Sequence, residues 1–321
     1  MLRYTLKRIV VAVPVLFVMA LLTFLFMQKT SGSFYDLLKL DPRISPEIIL
    51  RYQELYQLDK PLIIQFLQWV KNLFRLEFGY SFHYNIPVSH VISGRLFNTF
   101  VLSLSSFLLT WLVAIPLGIW AALNRNRRVD RTVQFFSYLA LSTPSFFLAM
   151  LLLYGGSQTG IFPLGGIRSA YYDDLSVFGK MIDVLRHLMI PTLALSIGAI
   201  GSLQRLMRGN MLEVLRQQYI LTARAKGLPE NQVVYCHALR NAVNPLITLL
   251  GYELGDLLSG AALIEIIYGW PGLGNLMLTA VQTKDVYLVM ASLMMGGGLF
   301  LMGNLIADLI LARVDPRIRY E

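Results

Sequence analysis

The sequence predicts an all-α polytopic membrane protein with six transmembrane helices and both termini on the cytoplasmic side (N-in/C-in). Three observations lead there. First, 55% of the 321 residues are hydrophobic and only 15% are charged, against roughly 25% charged in an average soluble domain. Second, six apolar stretches reach or approach the about 20 residues that a helix needs to cross a bilayer; they lie at roughly 9–28, 97–123, 133–156, 188–204, 245–268 and 286–312. Third, Lys and Arg crowd into alternate connections, which fixes orientation.

The first span follows "MLRYTLKR". It is too long for a signal peptide, and "FMQKTSG" carries no small-residue cleavage site, so it reads as a retained helix. Pro14, Pro116 and Pro144 fall inside spans, and each removes a backbone hydrogen bond and kinks its helix. The fourth span is the shortest because Arg205 closes it. In the fifth, Gly251, Gly255, Ser259 and Ala262 recur at helical spacing, and such small residues let helices approach closely in lipid. Glu253, Asp256 and Gly260 form a neighbouring polar stripe. Ionisable groups within a bilayer face a bundle interior or a cavity. Glu253 and Asp256, with Ser259 and Gly260, therefore line a translocation path or its gate, or else form a hydrogen-bonded network at a subunit interface. The sequence leaves both open. In the sixth, Asp308 lies near the inner end, within reach of Arg313, and Tyr268 and Trp270 read as interfacial aromatics at the outer boundary.

With the N-terminus inside, the inner segments hold Arg3, Lys7 and Arg8, then Arg125, Arg127, Arg128 and Arg131, then Arg205, Arg208, Arg216, Arg224, Lys226 and Arg240, and finally Arg313, Arg317 and Arg319. The short outer loops hold only Arg168, Lys180, Arg186 and Lys284. The net charge of +9 is thus a signature of membrane orientation, and no nucleic-acid partner is expected. One cysteine, Cys236, excludes an internal disulfide, and four scattered histidines show no metal-ligand spacing.

The chain divides into four regions: residues 1–28 as tail and first helix, 29–96 as an extracytoplasmic helical cap, 97–312 as a transmembrane core that includes an inner loop at about 207–242, and 313–321 as a cytoplasmic tail. In the cap, "SPEIILRYQELYQL" has helix-start chemistry, with Ser45 as N-cap, Pro46 in the first turn and Glu47 at the positive end of the dipole. "PLIIQFLQWVKNLF" is a second amphipathic helix with Leu62, Phe66, Trp69, Val70 and Leu73 on one stripe.

The stretch "LTARAKGLPENQVVYCHALRNAVNP", Leu221–Pro245, is a polar, basic helix–glycine–helix module between apolar spans. Gly227 ends the first helix through left-handed backbone angles. Pro229 starts the second, which runs to Pro245. Ala223, Ala225 and Gly227 give a small face open to close approach. By spacing alone the module is either a surface connector whose basic residues set topology or a docking element.

"TARAKGL" followed by "HALRNA" closely resembles the cytoplasmic coupling loop of binding-protein-dependent ABC importer permeases, in their dipeptide/oligopeptide branch. Aligned on Gly227, the general family pattern of Glu-Ala-Ala, glycine and Ile-x-Leu-Pro is met at Ala223, Gly227 and Leu239, whereas Leu221, Thr222, His237 and Arg240 depart from it. "MLRYTLKRI", "LDKPLIIQFLQWV", "FGYSF", "STPSFFLAMLLL", "EIIYGWPGLGNL" and the terminal "DPRIR" carry the same resemblance along the whole chain. It is closest to the first, B-type permease subunit of such importers.

The resemblance implies a type I ABC importer permease fold in the bacterial plasma (inner) membrane. It implies a heterodimer with a second related permease subunit, two cytoplasmic ABC ATPases, and an extracytoplasmic substrate-binding protein. Tyr219, Ala223, Ala225, Gly227, Leu228 and Pro229 would then sit in an ATPase cleft. The implied cargo is peptides or similar small solutes, and lipid is the other partner. No cofactor and no catalytic residue is expected. The chain has no Gly-x-x-x-x-Gly-Lys-Ser/Thr phosphate loop, so ATP hydrolysis falls to a partner. The competing class is a proton-coupled secondary transporter working through Glu253 and Asp256. Its hallmark of inverted repeats is not evident.

Overall fold

Helices dominate the computed structural model, which describes residues 2–29, 47, 50, 60–247, 249 and 261–314. Among the described residues, four helices are long and apolar enough to cross a membrane: Val10–Lys29, Val88–Leu123, Val177–Val214 and Val286–Leu305. A fifth crossing is available if Arg128–Ser142 and Ser145–Thr159 act together; they meet at a bend of 103°. The bend replaces the single kinked span expected at 133–156. Pro144 cannot donate to the preceding turn, and Thr143 takes extended angles (φ −100°, ψ 121°). Pro144 itself sits at ψ 140° as the N-cap of the next helix. Pro14, Pro116 and Pro191, by contrast, lie inside unbroken helices.

The expected fourth span, 188–204, is the middle of a 38-residue helix, Val177–Val214, about 57 Å long at 1.5 Å per residue. Ser176 caps its start by accepting the Gly179 N–H. Arg205 does not end it; the helix runs on to Val214, and the Arg205 guanidinium carbon lies over the Tyr138 ring at 4.4 Å. Most of the fifth expected span, including Gly251, Glu253, Gly255, Asp256, Ser259 and Gly260, lies outside the described residues, as do Ser45 and Pro46 at the expected cap-helix start and the Asp308 and Arg313 side chains.

Two units are compact, Met1–Thr99 with Pro271–Leu301, and Phe100–Trp270 with Met302–Glu321. In the first, the amphipathic helix is realised as Leu62–Leu73. Its Phe66 and Trp69 are buried with Ala20, Phe24 and Met290, and Val70 and Leu73 pack against this cluster, whereas Leu62 stays exposed. The Phe66 ring meets Phe17 edge-on at 5.4 Å and Phe24 at 5.6 Å. The segment expected to be a helical cap also holds a short antiparallel hairpin, with Tyr80 opposite Pro87 and Ser81 opposite Ile86. The following helix begins at Val88, earlier than the expected residue 97. Gly297 lets the last helix approach the first: a Cβ there would come within 2.8 Å of Met19 Cε.

Asp285 ties the hairpin down. Its carboxylate is fully buried and accepts from Ser81 Oγ at 2.6 Å and from the His83 N–H at 3.2 Å, while its second oxygen accepts from the Leu288 N–H at 3.2 Å. Burial pushes this carboxyl above its usual range, and the bond from Ser81 opposes the shift. Beside it, Gly79 (φ +98°) packs against Tyr287, where a Cβ would sit 3.0 Å from the ring.

In the second unit the long helix is the spine. Polar side chains stitch its neighbours to it, as expected where hydrocarbon offers no competing partner. Ser106 and Ser196 hydroxyls lie 3.0 Å apart, and Ser137 donates to Gln204 Oε1 at 2.7 Å. Gly201 lets the backbone of Ser137 close in, since a Cβ would meet its carbonyl oxygen at 2.8 Å. Tyr268 and Trp270 are buried, not interfacial. The Tyr268 hydroxyl donates to the Pro163 carbonyl at 2.8 Å, and the Gly166 N–H donates back to the Tyr268 carbonyl. A loop thus covers the ring that sequence position alone assigns to the boundary.

Candidate functional site

The helix–glycine–helix module begins where the long helix ends. Helix Gln218–Ala225 closes on Lys226, and Gly227 takes φ +75°. The Gly227 N–H then donates to Arg224 O at 2.9 Å and the Leu228 N–H to Ala223 O at 3.4 Å. This is the paired 5→2 and 6→1 bonding of a Schellman cap. Leu228 folds back against the core, which completes the motif. Pro229, in extended geometry, is the N-cap of the next helical stretch rather than its first residue.

That stretch departs from the regular α-helix that the sequence suggests. Glu230–Gln232 is α-helical, Val233–Ala238 is a π-turn and Leu239–Ala242 is α-helical again. The Leu239 N–H reaches Val234 O, five residues back. A π-turn inserts one residue and rotates the helix beyond it. It leaves Val233, Val234 and Ala238 buried while Tyr235 and Cys236 face outward. The chain then turns at Val243, and helix resumes at 244–247 with Pro245 in its first turn, where no donor is needed.

The module is anchored along one face. Ile220, Ala223, Val233, Val234, Ala238, Ala242 and Leu246 are buried with Leu203, Met207 and Met211 of the long helix. Each of the larger side chains among them, fully buried, contributes about 1.5–3 kcal/mol. Asn210 Nδ2 donates to Ala242 O at 3.2 Å. Asn241 Nδ2 donates to Tyr219 Oη at 2.9 Å and to His237 O at 3.2 Å. Arg224 clamps Glu230 across the apex (Nη2–Oε1 2.5 Å, Nε–Oε2 3.1 Å), and this holds the Glu230 carboxyl below its usual range.

Of the six residues singled out, Tyr219, Ala225, Gly227 and Pro229 are exposed, Leu228 is half-buried and Ala223 is buried. The small face is therefore Ala225 and Gly227, with open space where a Gly227 Cβ would stand; Ala223 faces the core. Sequence reasoning missed the clamp and the Tyr219–Asn241 bond. Only the opposite charges of Arg224 and Glu230 on either side of a glycine turn hint at the clamp. It also missed a part-buried ion pair on the long helix: Arg208 donates through Nε and Nη2 to the two oxygens of Asp130, at 2.6 and 2.7 Å. Glu253, Asp256, Ser259 and Gly260 lie outside the described residues. Among the described residues no cluster of three or more His, Cys, Asp or Glu is arranged to hold a metal.

Long apolar helices and a polar helix–turn–helix packed on the end of one of them fit a membrane-spanning protein. Comparison with known families makes this specific. Residues 114–320 match the family described as binding-protein-dependent transport system inner membrane component, and residues 1–104 match the N-terminal region described for such membrane components. The chain belongs to this family. It is similar to the oligopeptide transport system permease protein AppB of Bacillus subtilis, at 36% identity over 99% of both chains. It shares 38% identity over 98% of both chains with a putative peptide transport system permease protein of Brucella abortus. With the glutathione transport system permease protein GsiC of Salmonella choleraesuis it shares 33% identity over the full length of both.

The chain is thus a multi-pass inner-membrane permease subunit of a binding-protein-dependent ABC importer. It is not itself an enzyme; hydrolysis of ATP belongs to partner ATPases. A partner permease, an ATPase and a substrate-binding protein are implied by that membership. The proton-coupled alternative is set aside by it.

Proposed function

We propose that this chain forms half of a translocation path for peptides or similar small solutes, paired with a second related permease subunit over two ATPases. It has the six-helix type I arrangement with both termini in the cytoplasm. The apex at Tyr219, Ala225, Gly227, Leu228 and Pro229 seats in an ATPase cleft, with Ala223 holding the apex to the core behind it. The observation that carries this reading is the build of the module: a glycine-capped, ion-paired apex on a face buried against the end of a 38-residue helix. A rigid element so mounted passes a displacement at the apex into the helix; a floppy loop would absorb it. Relatives named for oligopeptide, peptide and glutathione transport support a peptide-class cargo. Glu253, Asp256, Ser259 and Gly260 line the path or its subunit interface.

The test is reconstitution of the chain with its partner permease and ATPases in proteoliposomes, with loaded binding protein and a mixed peptide pool. Binding-protein-stimulated ATP hydrolysis with matching peptide uptake is the expected result. Stimulated hydrolysis unchanged by Gly227→Val would overturn the role of the apex.

A further inference from the structure

The groove between helices Arg128–Ser142 and Val177–Val214 has no part in the apex described above. It is a cleft of about 410 Å³ lined by Gln134, Tyr138, Ser202, Arg205, Leu206 and Arg208. Its lining holds hydrogen-bond donors and no carboxylate. The neighbouring acid, Asp130, is already taken on both oxygens by Arg208. Arg205 forms no ion pair among the described residues. Its guanidinium carbon lies over the Tyr138 ring, 4.4 Å from the centroid, and its N–H donors suit an oxygen anion. Gln134 Nε2 is buried without a hydrogen-bond partner among the described residues, which costs free energy until an acceptor meets it. One full positive charge, one orphaned donor and two hydroxyls match a singly charged phosphodiester.

We propose that this groove binds the phosphate of an anionic phospholipid headgroup from the inner leaflet. A lipid fits better than a free anion because of the neighbouring surface. Phe135, Phe136 and Leu139, on the same helix as Gln134 and Tyr138, are exposed and provide the apolar bed that acyl chains need. Basic pockets between transmembrane helices on the cytoplasmic side suit anionic headgroups. The inference rests on the orientation proposed above, which puts Arg205 and the Arg125–Arg131 cluster inside.

The experiment uses the assembled permease–ATPase complex, purified in mild detergent with equal phosphatidylglycerol and phosphatidylcholine, and counts retained lipid by native mass spectrometry. Wild type is expected to retain phosphatidylglycerol over phosphatidylcholine. Arg205→Gln is expected to cut retained phosphatidylglycerol about five-fold, the ratio for one basic residue near a membrane surface. Arg205→Lys should keep most of it, and Arg240→Gln, elsewhere on the same side, should leave it unchanged. Equal retention of the two lipids by wild type would overturn the proposal and indicate that a partner subunit covers the groove. Undiminished phosphatidylglycerol in Arg205→Gln would also overturn it, as would displacement by millimolar inorganic phosphate, which would make the site one for the free anion. Binding-protein-stimulated ATP hydrolysis, read on the same preparations, reports separately on the importer reading.

Discussion

Arg208 grips Asp130 through two parallel bonds of 2.6 and 2.7 Å, at a point where Asp130 is 3% exposed. Asp130 Oδ2 also accepts the Asn126 N–H at 2.9 Å, so one carboxylate joins the start of helix Arg128–Ser142 to the long helix that carries the apex. Arg208 keeps 22% of its side chain exposed, so removing one partner costs at most the about 3–5 kcal/mol of a fully buried pair. Asp130→Ala and Arg208→Ala should each lower the thermal midpoint of the purified complex strongly. The double variant should cost less than the two singles added together. Additive losses would show that the two groups are not energetically coupled.

Gly227 stands at φ +75° with open space around its missing side chain. The obstacle to substitution is therefore backbone strain, about 1–2 kcal/mol for an L-residue in left-handed geometry, and not a clash. Asn tolerates that geometry best after glycine. Gly227→Asn should keep most of the stimulated ATP hydrolysis, Gly227→Ala less, and Gly227→Val least, while all three reach the membrane in equal amount. If Ala outperformed Asn, side-chain size against the ATPase would be in control, and not φ.

The stripe of Phe66 and Trp69 and the glycine cap were legible because each is encoded within a few residues: one by helical spacing, the other by the one residue type that tolerates positive φ. Features set by distant partners were not. Arg205 looks like a helix end because local charge density cannot show Tyr138 beneath it. Strands of two residues are too short for a period-two pattern, and Ser81 is held by an aspartate 204 residues away. Tyr268 sits where an interfacial tyrosine is expected, but Pro163 and Gly166 cover it. The π-turn at Val233–Ala238 leaves no mark, since its residues are ordinary helix formers or apolar.

The Arg224–Glu230 clamp is solvent-exposed, with Glu230 57% accessible, so its worth is at most about 0.2–1 kcal/mol and is screened by salt. The bond from Arg224 lowers the Glu230 pKa from 4.5. The stabilisation is therefore present above that ordinary value and is lost as pH falls through the lowered one. Glu230→Gln should leave the thermal midpoint nearly unchanged at neutral pH. Coupling should still fall, because the apex loses a tether. A large drop in the midpoint would mean that the clamp holds the fold and not merely the apex.

Asp285 is the opposite case. Burial raises its pKa above 3.8 despite the bond from Ser81. A raised carboxyl pKa contributes stability that is fully present below the unfolded value and lost as pH rises through the folded one. Asp285→Asn, neutral at every pH, lacks that term but also forfeits an acceptor for the Ser81 hydroxyl or the His83 N–H, at about 1–3 kcal/mol for a buried group left unpaired. The variant should thus be less stable than wild type at acid pH, and the gap between their thermal midpoints should narrow as pH rises from 3.8. A gap that widened with pH would mean that the carboxylate stays ionised in the fold, with its three donors outweighing burial.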